Sequence, residues 1–321
     1  MKLGLYMDIL NDKSFTEALD YAAGLGLDAV EVGTGNFSAA PHCELDQLVR
    51  SQAAREEFLG AITERGLALS ALNCSGNLLD PHPERRRRCQ QVYYDTVRVA
   101  RELGLDIVIT QSGCPGAPDG GTYPNWVTAT WPAEYVECGL RQWAEEVSPF
   151  WSEAGRFAAD HGMKIAIEMH HGMVAYNPRS LLQLRDIAGD LLGANLDPSH
   201  LWPQGMEPTV VVQGLSGCIW HVHAKDTGID PNEAALNGLL EIRPWDQSFE
   251  RSWAFRTVGY GHDELWWRQF FSALRKTGFD GVVSMEHEDR WMGRLEGLEK
   301  SVDFLRPLLL QDQQDVIAPR A

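Results

Sequence analysis

The 321-residue chain predicts a single domain over residues 1–321, an α/β fold of the closed (β/α)₈ barrel type. Two observations carry that expectation. The first is a junction that recurs along the chain: GLGLDAVEV, ERGLALSAL, ELGLDIVIT, DHGMKIAIE and KTGFDGVVSME. Each ends a helix-like stretch in glycine and then starts a short apolar run. Glycine supplies the left-handed residue that closes a helix before the chain turns into a strand. The second is the number of such runs, which reaches eight. Strands alternating with helices imply a parallel sheet covered on both faces, and eight units close it into a barrel.

Taken in order, the strands are expected at Leu3–Met7, Ala29–Val32, Ala68–Leu72, Ile107–Thr110, Ile165–Met169, Gly193–Leu196, Ile219–His223 and Val282–Met285. Between them, Ser14 starts a helix to Ala23 and has Glu17 three residues on, the pattern of a capping box. A longer helix is expected over Pro83–Leu103. It carries RRRR at 85–88, which in an acidic chain reads as a solvated face rather than a nucleic-acid patch. Ser180–Ile187 and Leu298–Leu310 are amphipathic stretches. Two segments exceed what a barrel needs: residues 112–134 after the fourth strand and residues 226–262 after the seventh. Both are rich in Gly, Pro and aromatic residues. Long loops on the C-terminal side of a barrel build pockets or lids, and these aromatics suit a ring larger than a free sugar; capping the barrel or forming an oligomer interface is the competing use.

Composition excludes several function classes. A formal charge of −17 argues against a duplex-DNA binder, which needs a basic face for phosphates. No apolar run approaches the roughly 20 residues of a membrane span. MKLGLYMDIL meets Asp8 before a signal-peptide core could form, so a cytoplasmic protein is expected, with its six scattered cysteines reduced.

The chemistry gathers where apolar runs end. KIAIE ends in Glu168, GANLDPSH holds Asp197, IWHVHAKD holds His223, and GVVSMEHED holds Glu286. Strand ends on one barrel face converge on its axis, so these four can share one ion. Three carboxylates and an imidazole, without thiolate, suit Mn²⁺, Mg²⁺ or Co²⁺. Singly, each would read as a salt-bridged or hydrogen-bonded core residue. Four buried charges on four successive strands are costly unless something pairs them. Such an ion polarises a sugar carbonyl and its neighbouring hydroxyl, and Glu168 and Glu286 are candidates for moving the proton beside that carbonyl. His170 shares the face of Glu168, because alternate strand residues share a side, and is a candidate second-sphere acid or base, while His171 faces the other way as a structural residue. His200 can reach the ion or a sugar hydroxyl, the hydroxyl being the preferred reading, and Lys225 a carbonyl oxygen or a phosphate, with Asp226 as its expected partner. Arg256 is a candidate substrate clamp or the partner of a barrel carboxylate. Asn73, Gln111 and Trp126 are further pocket candidates, and His221 reads as polar packing in the core.

IAIEMH, NLDPSH, HVHAKD and SMEHED resemble the xylose isomerase-like TIM-barrel superfamily of sugar phosphate isomerases and epimerases, over nearly the whole chain. The resemblance implies that Glu168, Asp197, His223 and Glu286 ligate a divalent ion, with the two glutamates at the proton-transfer positions. More narrowly, LGANLDPSHLWPQGMEP, HVHAKDTGID, AFRTVGYGH and the PNW…WP insertion look like the catalytic α subunits of bacterial C-glycoside deglycosidases. That resemblance implies Mn²⁺, enolisation of a 3-keto-glucosyl group with elimination of the aglycone, His170 as base and a small β subunit as partner. Where those proteins often have a glycine pair after this histidine, the present chain has His171 and Gly172.

The leading expectation is therefore a metal-dependent sugar-active enzyme, acting on a keto-sugar or 3-keto-glycoside, with an isomerase or epimerase of free ketoses as the alternative. A DNA-repair endonuclease on the same barrel would need more histidine ligands and a basic groove. A non-catalytic sugar-binding subunit would be expected to lack one of the four ligands, and none is lacking.

Overall fold

A computed structural model describes residues 1–311, and residues 312–321, the end of the expected domain, lie outside the described residues. Eight parallel strands close into a barrel: β1 (Lys2–Tyr6), β2 (Ala29–Gly33), β3 (Ala68–Asn73), β4 (Ile107–Gln111), β5 (Lys164–Glu168), β6 (Leu192–Leu196), β7 (Ile219–Ala224) and, as the eighth barrel strand, β10 (Val282–Met285). β8 (Asp226–Ile229) and β9 (Trp253–Arg256) form a separate antiparallel pair inside the long segment after β7. Closure is direct: β1 pairs with β2 on one side and with β10 on the other, Leu5 lying opposite both Val30 and Met285.

Every expected strand is present, with ends shifted by a residue or so. The shift matters at β5, which stops at Glu168 rather than running on to Met169. Ser14 caps α1 (Phe15–Gly24), and both hydrogen bonds of its capping box with Glu17 are formed. α4 (Pro83–Glu102) is the long helix that begins with proline, and α7 (Pro178–Ala188) starts from an Asn177–Ser180 capping box. The last helix, α11 (Arg294–Leu305), starts four residues before the expected Leu298 and ends before Leu310, because the apolar periodicity continues past the point where the backbone leaves the helix. At the junctions, Gly104 (φ 73°) and Gly162 (φ 69°) adopt the left-handed conformation that directs the chain into β4 and β5.

Packing follows the layers of the fold. The outward faces of the strands meet the helices in one continuous core that includes Trp151, Trp267, Phe270 and Phe271. Ile109 and Ala166 lie two residues before Gln111 and Glu168, hence on the same strand face, and form with Ala71 a small apolar plug beneath the polar strand ends. The arginine run is divided: Arg85 pairs with Asp80 at 2.9 Å and Arg86 with Glu146 at 2.6 Å, while Arg87 and Arg88 are exposed, as expected of a solvated face. No helix among the described residues is long and apolar enough to cross a membrane.

Candidate active site

Glu168 is the last residue of β5 and Asp197 the first beyond β6. His223 is the penultimate residue of β7, and Glu286 the first beyond β10. The barrel brings all four to its C-terminal rim, where one donor atom of each lies within 4.8 Å of the others. Nδ1 of His223 is 2.9 Å from Glu168 Oε1 and 3.2 Å from Glu286 Oε2. Asp197 uses Oδ1 to accept from the Ser199 amide at 2.8 Å. Its Oδ2 lies 3.2 Å from both Lys225 Nζ and His200 Nε2, but neither is aligned as a hydrogen-bond donor. A buried carboxylate oxygen left without a donor is costly, and one pointing into three further donors fits a divalent cation. The oxygen-rich set with one imidazole fits Mn²⁺, Mg²⁺ or Co²⁺.

The electrostatics are those of charges held out of water. Burial pushes Asp197 up to about 7, with Lys225 opposing the shift and Glu168 and Glu286 adding to it. Burial also raises Glu168 and Glu286, yet His223 and Lys225 outweigh it and hold both below the usual carboxylate range. His223 loses by burial but sits well above its ordinary value through Glu31, Glu168 and Glu286. Ligation would thus require His223 to give up a proton.

A cavity of about 570 Å³ opens over this floor. Asn73, Gln111, His170, His200 and Lys225 line it. Gln111 donates to Glu168 Oε2 at 2.9 Å, and Asn73 donates to Glu31 Oε1 at 2.8 Å. His170 lies beyond the end of β5, so strand parity does not place it; the turn does. Its Nδ1 is 2.5 Å from the His171 carbonyl, which fixes the proton there and leaves Nε2 as the acceptor. Burial lowers its pKa and keeps the ring neutral. His171 is not among the cavity-lining residues; its ring stacks on His170 at 4.4 Å and meets Trp253 edge-on at 5.3 Å.

Three expectations are corrected by placement. Lys225 does not pair with Asp226: it sits between the end of β7 and the start of β8, and the two side chains take different partners. Its ammonium instead reaches Glu286 (2.8 Å), Glu288 (3.0 Å) and Asp197 (3.2 Å). Asp226 gathers the backbone amides of Gly259, Gly261 and His262 at 2.9–3.0 Å. Gly261 approaches so closely that a β-carbon would sit 2.4 Å from Asp226 Oδ1. Arg256 is not among the cavity-lining residues; it pairs with Asp289 at 3.3 Å and stacks on Trp291 at 4.1 Å. Trp126 packs edge-on to Tyr176, away from the cavity. None of the cavity-lining residues comes from segments 112–134 or 226–262. Trp253 and Phe255 stand behind the lining instead, against His171 and His200.

Sequence reasoning missed Glu31. It lies in AVEVG of β2, fully buried, with both oxygens 3.0–3.1 Å from His223 Nε2. The signal was present: one acid in an otherwise apolar five-residue strand.

The chain matches the family described as xylose isomerase-like TIM barrel over residues 19–308. It belongs to that family. A Bacillus subtilis (strain 168) relative, the uncharacterized protein YfiH, is 38% identical over 314 residues, covering 97% of this chain and 100% of that protein. Among solved structures, the apo form of the 3-keto-D-glucoside 4-epimerase YcjR from E. coli superposes with a TM-score of 0.65 at 16% identity, over 96% of this chain and 99% of that one. A xylose isomerase-like TIM barrel protein from Mycobacterium smegmatis, in complex with magnesium, gives 0.63 at 18% identity, over 96% of each chain. At these identities the family member shares the fold of those two structures. The narrower resemblance to C-glycoside deglycosidases rests on the quoted motifs alone.

Proposed function

We propose that this family member is a divalent-metal-dependent isomerase or epimerase of an unphosphorylated keto sugar, acting by proton transfer at the carbon beside the carbonyl. One observation carries the reading: Glu168, Asp197, His223 and Glu286 converge within 4.8 Å, and two of them, Glu168 and Glu286, line a cavity whose wall also presents His170, His200 and Lys225. An ion held by those four residues would supply Lewis-acid polarisation of the carbonyl and adjacent hydroxyl. Glu168 and Glu286 come from opposite arms of the cluster, and each has two carboxylate oxygens. One removes the proton from carbon and the other returns one from the opposite side, which inverts or relocates the centre. His170, neutral with Nε2 unprotonated, takes up the proton of a substrate hydroxyl. His200 and Lys225 hold the sugar oxygens, and Asn73 and Gln111 keep the acidic floor in place.

The charge of the wall supports an uncharged substrate. Asp8, Glu168, Glu286 and Glu288 line the cavity, and its one lysine is already shared among carboxylates. Among the described residues, no arginine lines it to receive a phosphate. Two structural neighbours, a 3-keto-D-glucoside 4-epimerase and a protein in complex with magnesium, support this class.

A second reading is elimination of an aglycone from a 3-keto-glycoside, with Mn²⁺ and a small β subunit as implied by the narrower resemblance. The cavity has room for it, since about 570 Å³ falls in the roughly 300–1,000 Å³ range of small-molecule pockets. The placement of the aromatic insertions does not favour it, because none of them lines the cavity.

The test is an assay of the Mn²⁺-loaded chain in D₂O with free ketoses and 3-keto-glucosides in parallel, followed by NMR. Deuterium entering beside the carbonyl of a sugar, with epimer or isomer formed, is the expected result. Aglycone release would select the second reading. No exchange into any of these sugars, with the ion bound, would sink both.

A further inference from the structure

We infer that Glu31 is a positioning residue that selects Nδ1 of His223 as the ligating nitrogen and thereby sets the affinity of the four-residue centre for its ion. The inference rests on the metal-dependent reading above. Glu31 points from β2 toward the barrel axis and has no exposed surface. Its carboxylate has two aligned partners, His223 Nε2 at 3.0–3.1 Å and the Asn73 amide at 2.8 Å. His221 is a more distant neighbour, with Nε2 3.7 Å away and Nδ1 held by Asn195 at 3.0 Å. Glu31 is thus built around one ring, that of His223.

That ring is gripped at both nitrogens. Nε2 faces Glu31, while Nδ1 faces Glu168 and Glu286. Tyr6 lies alongside it, nearly parallel at 14° and 6.1 Å between centroids, so the ring plane is fixed as well. A neutral imidazole carries hydrogen on one nitrogen only. A carboxylate accepting from Nε2 keeps the hydrogen there, and the Nδ1 lone pair then points at the oxygens of Glu168, Asp197 and Glu286. A charged acceptor also makes the ligating nitrogen more basic than a neutral one would. Asn73 restrains the Glu31 carboxylate through Oε1, and its own Oδ1 accepts from the Ser75 amide at 2.8 Å. The chain of restraint therefore runs from β3 to β2 to the ligand on β7.

The experiment titrates metal-stripped protein with Mn²⁺ by calorimetry, comparing the native chain with Glu31→Gln, a substitution of equal volume. One ion per chain is expected in both, with affinity 10–100-fold weaker in the variant. The second readout is the ¹⁵N spectrum of histidine-labelled native protein loaded with Mg²⁺, where His223 should be ligated through Nδ1 and hydrogen-bearing at Nε2. Equal affinity in the two proteins, or ligation through Nε2, would overturn the assignment. So would two ions per native chain falling to one in the variant, because Glu31 would then itself be a ligand. If Glu31→Gln does not fold, the native spectrum alone decides. Intact Mn²⁺ binding without turnover would count against the proposed reaction and leave this assignment standing, whereas no ion binding at all would remove both.

Discussion

The strand ends of the barrel and its two long insertions look equally promising in the sequence, yet the cavity is built from only one of them. Glu168, Asp197, His223 and Glu286 sit where β5, β6, β7 and β10 stop, and the closed sheet fixes their mutual distances. The insertions 112–134 and 226–262 carry tryptophans and an arginine that pack on other loops: Trp126 on Tyr176, Arg256 on Trp291 and Asp289. A strand end inherits its direction from the sheet, while a loop residue points wherever its own contacts take it. Substitutions in the two regions should therefore behave very differently.

The largest effect belongs to the floor. Glu168→Gln and Glu286→Gln should each lower kcat/KM for the sugar that exchanges deuterium by about 10³-fold or more, since each removes a proton-transfer group as well as a charge facing the ion. Near-native turnover in both would end the mechanism. Next comes His170→Ala, expected to lose about 10²-fold in kcat while the metal content, measured by elemental analysis, stays at the native value. Metal loss in that variant would make His170 a ligand.

An effect on stability alone is expected at Asp289, behind the cavity. Burial raises its pKa, but amide bonds from Thr257 and Trp291 and the charge of Arg256 bring it below the ordinary value. An acid depressed in the folded state stabilises above its unfolded pKa, and that contribution is lost as pH falls through the folded one. Asp289→Asn should therefore cost about 1–3 kcal/mol at pH 7 and show a shallower loss of stability than the native chain as pH falls below the ordinary carboxylate value of about 4, read as urea midpoints. Parallel curves would mean that Asp289 is not the responsible group. The smallest effect is predicted for Trp126→Ala and Arg256→Ala, which should stay within about threefold of native kcat/KM. A hundredfold rise in KM in either would put the insertion back into the substrate site.

The same contrast explains what could be read from the sequence. The barrel was legible because glycine junctions and apolar runs are local signals, and the four rim donors because each follows such a run. Lys225 was legible as pocket-facing, but its partner was not. Adjacency suggested Asp226, whereas the chain leaves β7 before Lys225 and Asp226 starts a new strand, its carboxylate taken by the amides of Gly259, Gly261 and His262. His170 reached the cavity for a reason other than the parity first invoked, through the turn beyond Glu168. Glu31 stayed hidden because its significance lies in a contact with His223, 192 residues away, and a single acid in a strand does not say which residue it meets.

The most direct test of the account is a metal titration of the stripped native chain beside Asp197→Asn and Glu286→Gln. The account predicts one Mn²⁺ per native chain and a loss of at least tenfold in affinity in each variant, because each contributes a carboxylate to one shared site. Native-like binding in both variants, or no binding by the native chain, would contradict it.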